Sequence, residues 1–520
     1  MVDLSGPEDE LAAYEMPAEE MAAEPMADSA PASGRAQSAS PQPVEEASSE
    51  MRRPCRRCDP NNFQDYGVNP FVDTWDDSLS TFALDVDTAS YTVTRNFLES
   101  GQLPPIEAVR TEEFVNYLDG GYEAIRDEFT VTLDSAPSPF AEAEHVLLRV
   151  GIQAPRELSQ STAPDSVVLV MDRSGSMDEP TGYGSESMRR IMLAHRAVEL
   201  LISGLPRETR VGVVAYESRS ATVLEPTELG GNAKWIMDKI RAEVTPGGST
   251  NAESGLIRGY DMALDEADAG RQVLVLLLSD GVANVGASRT DEILESIGER
   301  ADIGLSTIGV GLGPFNDELM EQLANRADGT YHYIDTPSEA VRVFVDDLDG
   351  LLAYAARDAK VQVEFDPEVV RSYRLLGYEN RDIEDEAFRD DAQDAGELGI
   401  GHSSTALYEL ELASRTRDER STIATVRMRY ERPATGTIVE LVTHLPRSAV
   451  ERSFESASPH FRLAAVAAEF AEILRDSPYA PSRISRELQH QADAVADDLH
   501  RDADAAELAS LIDTARRLLR

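Results

Sequence analysis

The sequence predicts an α/β fold: a doubly wound parallel sheet set into a β-rich unit. Three observations carry this. Val167-Val168-Leu169-Val170-Met171 and Val273-Leu274-Val275-Leu276-Leu277-Leu278 are unbroken apolar runs, so each reads as a strand buried on both faces. Around them strand and helix patterns alternate, as βαβ units require. From residue 361 to 445 the period changes to two, with Val361, Val363 and Phe365 alternating with polar residues.

The 520 residues suffice for two to four domains. Residues 1–62 are Ala, Glu, Pro, Ser and Met with almost no aromatics. Such a stretch buries too little apolar surface to offset its ordering entropy, so it is expected to be a disordered acidic tether. At its end Cys55-x-x-Cys58 sits between two Arg pairs. Zinc would need two further ligands, and no second pair exists, so the motif reads as an incidental linker pair, open to oxidation.

Residues 63–122 predict a small N-terminal α+β cap: a strand from residue 80, a helix over 92–100 ending at Gly101, and a second helical pattern over 109–118. Asp85 and Asp87 read as a strand-end turn or helix cap rather than as metal ligands. Residues 123–160 carry strand-like runs at 129–133 and 146–152. The α/β domain spans 161–350. Its expected elements are strands at 167–171, 211–216, 273–278, 303–310 and 331–334, an antiparallel edge strand at 221–224, and helices at 187–202, 233–240 and 252–264. Gly309-Val310-Gly311-Leu312-Gly313 mimics a dinucleotide fingerprint, but it follows the fifth strand and runs into Pro314, so no nucleotide is expected there.

Residues 351–450 form the β-rich unit, and 451–520 the C-terminal helices, with Leu463, Val466, Phe470, Ile473 and Leu474 as a stripe at helical spacing. The runs at 129–133 and 146–152 have no place in a six-stranded α/β sheet. Left alone they would expose edges and apolar faces. Pairing them with 361–365 and 438–442 makes the α/β domain an insertion in a β-sandwich-like unit. Within that unit, Arg374 and Arg381 read as a solvated charged loop beside Glu379, Asp382, Glu384 and Asp385, and His402 as a hydrogen-bonded turn residue.

The chemistry gathers at strand ends. The first buried strand runs into Asp172-Arg173-Ser174-Gly175-Ser176, which puts one carboxylate and two hydroxyls on a turn loosened by glycine. Hard oxygens on one loop suit a hard divalent cation, Mg²⁺ first. Thr245-Pro246-Gly247-Gly248-Ser249-Thr250-Asn251 opens a helix and offers the Thr250 hydroxyl; the second buried strand delivers Asp280. In an open α/β sheet ligands bind outside the carboxyl ends of the strands, so these three stretches can meet at one point.

With those residues in place the chain resembles the von Willebrand factor type A (VWA) domain, a Rossmann-like doubly wound fold. Its metal-ion-dependent adhesion site (MIDAS) uses D-x-S-x-S, a distant Thr and a distant Asp, matched by Asp172, Ser174, Ser176, Thr250 and Asp280. The resemblance implies Mg²⁺ (or Mn²⁺ or Ca²⁺) as cofactor. It implies direct ligation by Ser174 and Ser176, Thr250 acting directly or through water, and Asp172 and Asp280 acting mostly through water and hydrogen bonds. The strand and helices before the domain, and Tyr373-Arg374-Leu375-Leu376-Gly377-Tyr378 with Gly401-His402-Ser403-Ser404-Thr405 after it, resemble the flanking domains of bacterial YfbK-type proteins.

Charge narrows the partners. Asp and Glu total 95 against 48 Lys and Arg, a formal net charge of −47, and only Lys234, Lys239 and Lys360 are lysines. Such a surface repels nucleic acid and anionic lipid. No stretch reaches 18 apolar residues, so no transmembrane segment is expected. The expected function is metal-dependent protein binding, in adhesion or assembly, with a protein partner that gives an acidic side chain to the metal. A scaffold or partner role beside a ring ATPase or envelope complex would use the same site. Metal-assisted hydrolysis is disfavoured: the matched loops hold no His, and Asp178 and Glu179 are the only extra acids. No export signal is visible at Met1-Val2-Asp3-Leu4-Ser5, although the family resemblance implies an envelope lipoprotein, so location stays uncertain.

Overall fold

The computed structural model describes residues 63–141, 145–157, 163–182, 186–281, 292–293, 303–311, 317–413 and 419–519. The expected tether and the Cys55-x-x-Cys58 pair lie outside these residues. In chain order, β1 (Val72–Asp73) and β2 (Leu79–Ala83) precede helices Ala89–Glu99 and Thr111–Asn116. Next come β3 (Thr130–Pro137) and β4 (His145–Gln153). The α/β domain holds β5 (Ser166–Asp172), β6 (Arg210–Tyr216), β7 (Ser220–Glu228), β8 (Val273–Ser279), β9 (Leu305–Val310) and β10 (Tyr331–Ile334). Then follow β11 (Tyr354–Phe365), β12 (Val370–Leu376), β13 (Gly396–Gly399), β14 (Ser403–Leu412), β15 (Thr422–Arg432) and β16 (Thr437–Pro446). Helices Pro459–Leu474, Arg486–Asp498 and Ala503–Leu518 follow them.

The α/β sheet runs in the order β10-β9-β8-β5-β6-β7, parallel throughout except for β7, which is antiparallel at the edge. The unbroken apolar run of β5 now has its reason. Val167, Leu169 and Met171 pack under helices Arg190–Gly204 and Ala233–Glu243, while Val168 and Val170 face helix Ala252–Asp268 on the other side. Both faces are dry, so residues 167–171 are all apolar and polar residues stand only at the strand's ends.

The sandwich is built from both ends of the chain. One sheet has the order β1-β12-β14-β4-β3; the other is β13-β11-β15-β16, with β2 also paired to β11. The α/β domain is therefore inserted, as the sequence predicts, but the pairing differs from expectation. β4 pairs with β14, from Ser403 opposite Gln153 to Glu411 opposite His145, rather than with residues 361–365 or 438–442. The stretch Lys360–Glu364 of β11 is flanked instead by β2 and β15. The two connections to the inserted domain are stitched together by the β13–β14 turn: Ile400 N donates to Ala353 O (3.0 Å) and Gly401 N to Pro155 O (2.9 Å). Entry and exit thus lie at the amino ends of the parallel strands, and the carboxyl ends point away from the sandwich.

The N-terminal segment is woven into the body. β1 and β2 are sandwich strands, and helix Ala89–Glu99 sends Val93 and Phe97 into the α/β core and Tyr91 and Leu98 into the core beneath the C-terminal helices. That last core sits on the outer face of the sandwich through Leu376 and Leu407. Ion pairs that sequence reading assigns to solvent are interior. Arg374 is 3% exposed and bonds Glu409 (3.0 Å) and Glu472 (2.7 Å); Arg381 bonds Asp85 (2.9 Å) and Asp87 (3.2 Å). Arginine suits these places because its planar fork reaches two acids at once.

His402 stands in a hydrogen-bonded turn, as expected, its N donating to Gly399 O (3.2 Å) and its O accepting from Ala154 N (2.9 Å). Its ring faces His332 of β10 across the junction between inserted domain and sandwich, at 6.4 Å between centroids. Burial, then the neighbouring His402, hold the His332 imidazole down to about 3. An unfolded histidine takes up its proton near pH 6.5. The neutral folded form is therefore favoured above that value, and stability falls as pH drops below it. Unfolding in urea at pH 7 and pH 5 should give a lower midpoint at pH 5, with a smaller difference for His332→Phe. An equal difference in the variant would place the titration elsewhere. The strand pairings give a second expectation. A fragment beginning at residue 355 loses β1 to β4, and one beginning at 125 still loses β2, so neither should show the cooperative thermal transition of residues 63–520. A sharp transition and a dispersed amide spectrum from the shorter fragment would refute the insertion's structural role.

Candidate metal centre

β5 delivers Asp172 at the carboxyl end of the sheet, fully buried. Oδ1 accepts from Ser174 N (2.7 Å), and Oδ2 from Ser279 Oγ (2.8 Å) and Tyr216 OH (3.3 Å). Three strand ends thus orient one carboxylate. Burial first, and then the charge of Asp280, push the Asp172 carboxyl up to about 7; the bonds from Ser174 and Ser279 pull the other way. Immediately after it, the Ser174 and Ser176 hydroxyls lie 3.0 Å apart on a single 3₁₀ turn.

The Gly-rich loop is tied to this turn by backbone bonds, Gly175 N to Gly248 O (3.2 Å) and Gly247 N to Arg173 O (2.8 Å). Thr250 follows, 1% exposed, and Asn251 caps helix Ala252–Asp268 by accepting from Ser254 N. Asp280 lies fully buried just past β8. Its Oδ2 meets Arg190 Nη1 at 2.8 Å, while its Oδ1 is buried and finds no hydrogen-bond donor among the described residues.

The structure therefore brings the loops bearing all five predicted residues to one end of the sheet. The donor set fits a hard cation: two hydroxyls side by side, a buried carboxylate oxygen lacking a donor, and a second carboxylate whose charge is disfavoured. Sequence reading missed Tyr216 and Ser279, each the last residue of its strand, and Arg190, which opens helix Arg190–Gly204. Strand-end position was the available signal for the first two. Asp178 and Glu179 are exposed, and Asp178 pairs with Arg189 at 2.9 Å. Gly311, described without its successors, has φ +73° and packs on Thr181 and Arg190, so it makes a turn after β9.

Two other features lie at the opposite end of the sheet. Asp328, Asp394 and Glu397 bring carboxylate oxygens within 4.8 Å of one another where the inserted domain meets β13. A cavity of about 690 Å³ opens beside the amino ends of β8 and β9, lined by Val273, Ile303, Tyr354, Arg357, Tyr430 and Arg432 among others. None of the five predicted residues belongs to either.

Comparison with known proteins agrees with this architecture. The von Willebrand factor type A domain family matches residues 166–347. A family described as von Willebrand factor matches residues 57–149, and one described as uncharacterized protein YfbK, C-terminal, matches 350–518. The chain is a VWA-domain protein. Its C-terminal region, 350–518, matches the YfbK C-terminal family. The chain is similar to the uncharacterized protein YfbK of Escherichia coli, with 35% identity over 365 residues, 67% of this chain and 61% of that protein, so it spans less than two thirds of that relative's length. It is also similar to the uncharacterized protein sll0103 of Synechocystis, at 25% identity over 58% of this chain and 69% of that one. Among solved structures, a von Willebrand factor type A protein from Catenulispora acidiphila covers 72% of this chain and 88% of its own, with 16% identity and a TM-score of 0.43. No helix among the described residues is long and apolar enough to cross a membrane.

Gly248 tests how the Gly-rich loop is held. Its φ is +78°, and a Cβ there would lie 1.8 Å from Glu217 Oε2. The carboxylate can swing away, but the backbone conformation stays unfavourable. Gly248→Ala should therefore cost about 1–3 kcal/mol in urea unfolding. A loss below about 0.3 kcal/mol would mean the loop relaxes freely, and a left-handed strain of the stated size would be excluded.

Proposed function

We propose that the VWA domain is a metal-ion-dependent protein-binding module, with Asp172, Ser174, Ser176, Thr250 and Asp280 as its MIDAS. The observation that carries this reading is Asp280 Oδ1, which has no hydrogen-bond donor among the described residues and is buried at the same end of the sheet as two hydroxyls 3.0 Å apart. A buried acceptor without a protein donor is met by a water or an ion, and beside two hydroxyls a cation can serve all three oxygens. When bound, Mg²⁺ (or Mn²⁺ or Ca²⁺) supplies a coordination position at which water exchanges for an acidic side chain of a protein partner.

The chain's own residues supply the rest. Ser174 and Ser176 offer neutral oxygens, so the ion's charge is left under-compensated toward the partner. Tyr216, Ser279 and the Ser174 backbone fix Asp172 and keep it from turning outward. VWA domains are protein-interaction modules, and the −47 charge favours neither nucleic acid nor anionic lipid as the partner. A binding role is preferred over hydrolysis because no histidine stands in the loops and Asp178 is exposed and paired.

Calorimetry with Mn²⁺ should show one stoichiometric site in the full chain, lost in the Ser174→Ala, Ser176→Ala double variant. Capture of partner protein should disappear with EDTA and return with excess Mg²⁺. Undiminished stoichiometric binding in the double variant would remove the site assignment.

A further inference from the structure

Arg190 is 3% exposed, and its Nη1 lies 2.8 Å from Asp280 Oδ2 and 3.2 Å from the Ser176 carbonyl. One guanidinium therefore joins the loop after β5 to the loop after β8. Room for it is made by Gly311: a Cβ there would come within 2.8 Å of Arg190 Cγ. Among the described residues Asp172 has no such partner and is held by neutral donors. The centre thus has two buried carboxylates and one built-in cation.

We propose that Arg190 is an internal counter-ion that lowers the centre's affinity for its divalent cation, an inference that rests on the metal-site reading above. Two charged carboxylates and Arg190 sum to one negative charge, which a dication turns into one positive charge. Without Arg190 the same carboxylates would neutralise the dication fully. Beside carboxylates this deeply buried, the surplus positive charge disfavours metal alone and favours metal together with an anionic group. Arg190 also keeps Asp280 compensated when metal is absent, so the fold does not depend on loading. Metal affinity is thereby shifted toward the bound state that includes a partner carboxylate.

Arg190→Gln keeps a hydrogen-bond donor and removes the charge, whereas Arg190→Lys keeps the charge. In the full chain, Mn²⁺ calorimetry should show at least about tenfold tighter binding for R190Q. R190K should stay within about threefold of wild type, since a cation remains. In thermal melts R190Q should unfold earlier than wild type in EDTA and gain a larger upward shift from saturating Mn²⁺. If R190Q is unfolded in EDTA, folding on addition of Mn²⁺ is the same result in its extreme form. A purely structural arginine would lower both melts equally and leave the Mn²⁺ constant unchanged; that outcome, or weaker binding by R190Q, overturns the proposal. Absence of Mn²⁺ binding in wild type and R190Q alike would instead reject the metal-site reading itself.

Discussion

The antiparallel pairing of β4 with β14 is the constraint on which the rest depends. These strands stand on either side of the inserted domain in sequence, and they run in register over their whole length. The pairing fixes both connections to the insertion at one place, with Ala154 N donating to His402 O and Gly401 N to Pro155 O (both 2.9 Å). Once both connections are fixed, the parallel strands must begin near the sandwich and end away from it. The candidate centre owes its outward position to that geometry. Bringing such distant strands together costs loop-closure entropy, but the cost grows only logarithmically, and an insertion with its own sheet shortens the effective loop.

Helix Ala89–Glu99 couples this frame to the inserted domain. Nearly all its residues are buried, polar ones included, because it is wedged between three bodies. Arg95 reaches Asp335 (2.6 Å) and Glu339 (3.1 Å) just past β10, and Glu507 (3.3 Å) on the last helix. Asn96 Nδ2 donates to Thr181 O (3.2 Å), on the loop that leads from the candidate centre to helix Arg190–Gly204. Rotation of the inserted domain on its two connections would break these bonds and leave several buried charges unpaired, at a cost of several kcal/mol. The VWA domain is thus held as part of one body rather than hung on a hinge.

What the sequence showed and hid follows from locality. β5 and β8 were legible because burial on both faces leaves a short apolar run, and in β5 its length and β-branched residues set it apart from a buried helix. The five candidate residues were legible because each sits next to such a strand or opens a helix. The partner of β4 was not: residues 361–365, 403–412 and 438–442 all show period two, and alternation states which face is wet without naming a neighbour. β1, only Val72–Asp73, is too short to give any period. Arg374, Arg381 and Arg190 were misread or passed over for one reason. An arginine's burial depends on acids far off in sequence, and the acids adjacent to it say little.

That reason returns at the candidate centre. Acids outnumber bases about two to one here, and just three of the bases are lysines. A buried carboxylate in such a chain is stable only with a cation or a full set of donors. Asp85 and Asp87 share Arg381, Glu409 and Glu472 share Arg374, and Asp335 and Glu339 share Arg95. Lys360, the buried lysine, is spent on the carbonyls of Asp390 (2.6 Å) and Gln393 (3.0 Å). Asp172 departs from the pattern: fully buried, it has three neutral donors and no arginine among the described residues, and Arg190 meets Asp280. The interior thus compensates these acids from within and gives Asp172, at the end of the sheet that faces outward, neutral donors alone. On the proposal of a metal centre, a cation from outside the chain would supply there the positive charge that arginines supply elsewhere.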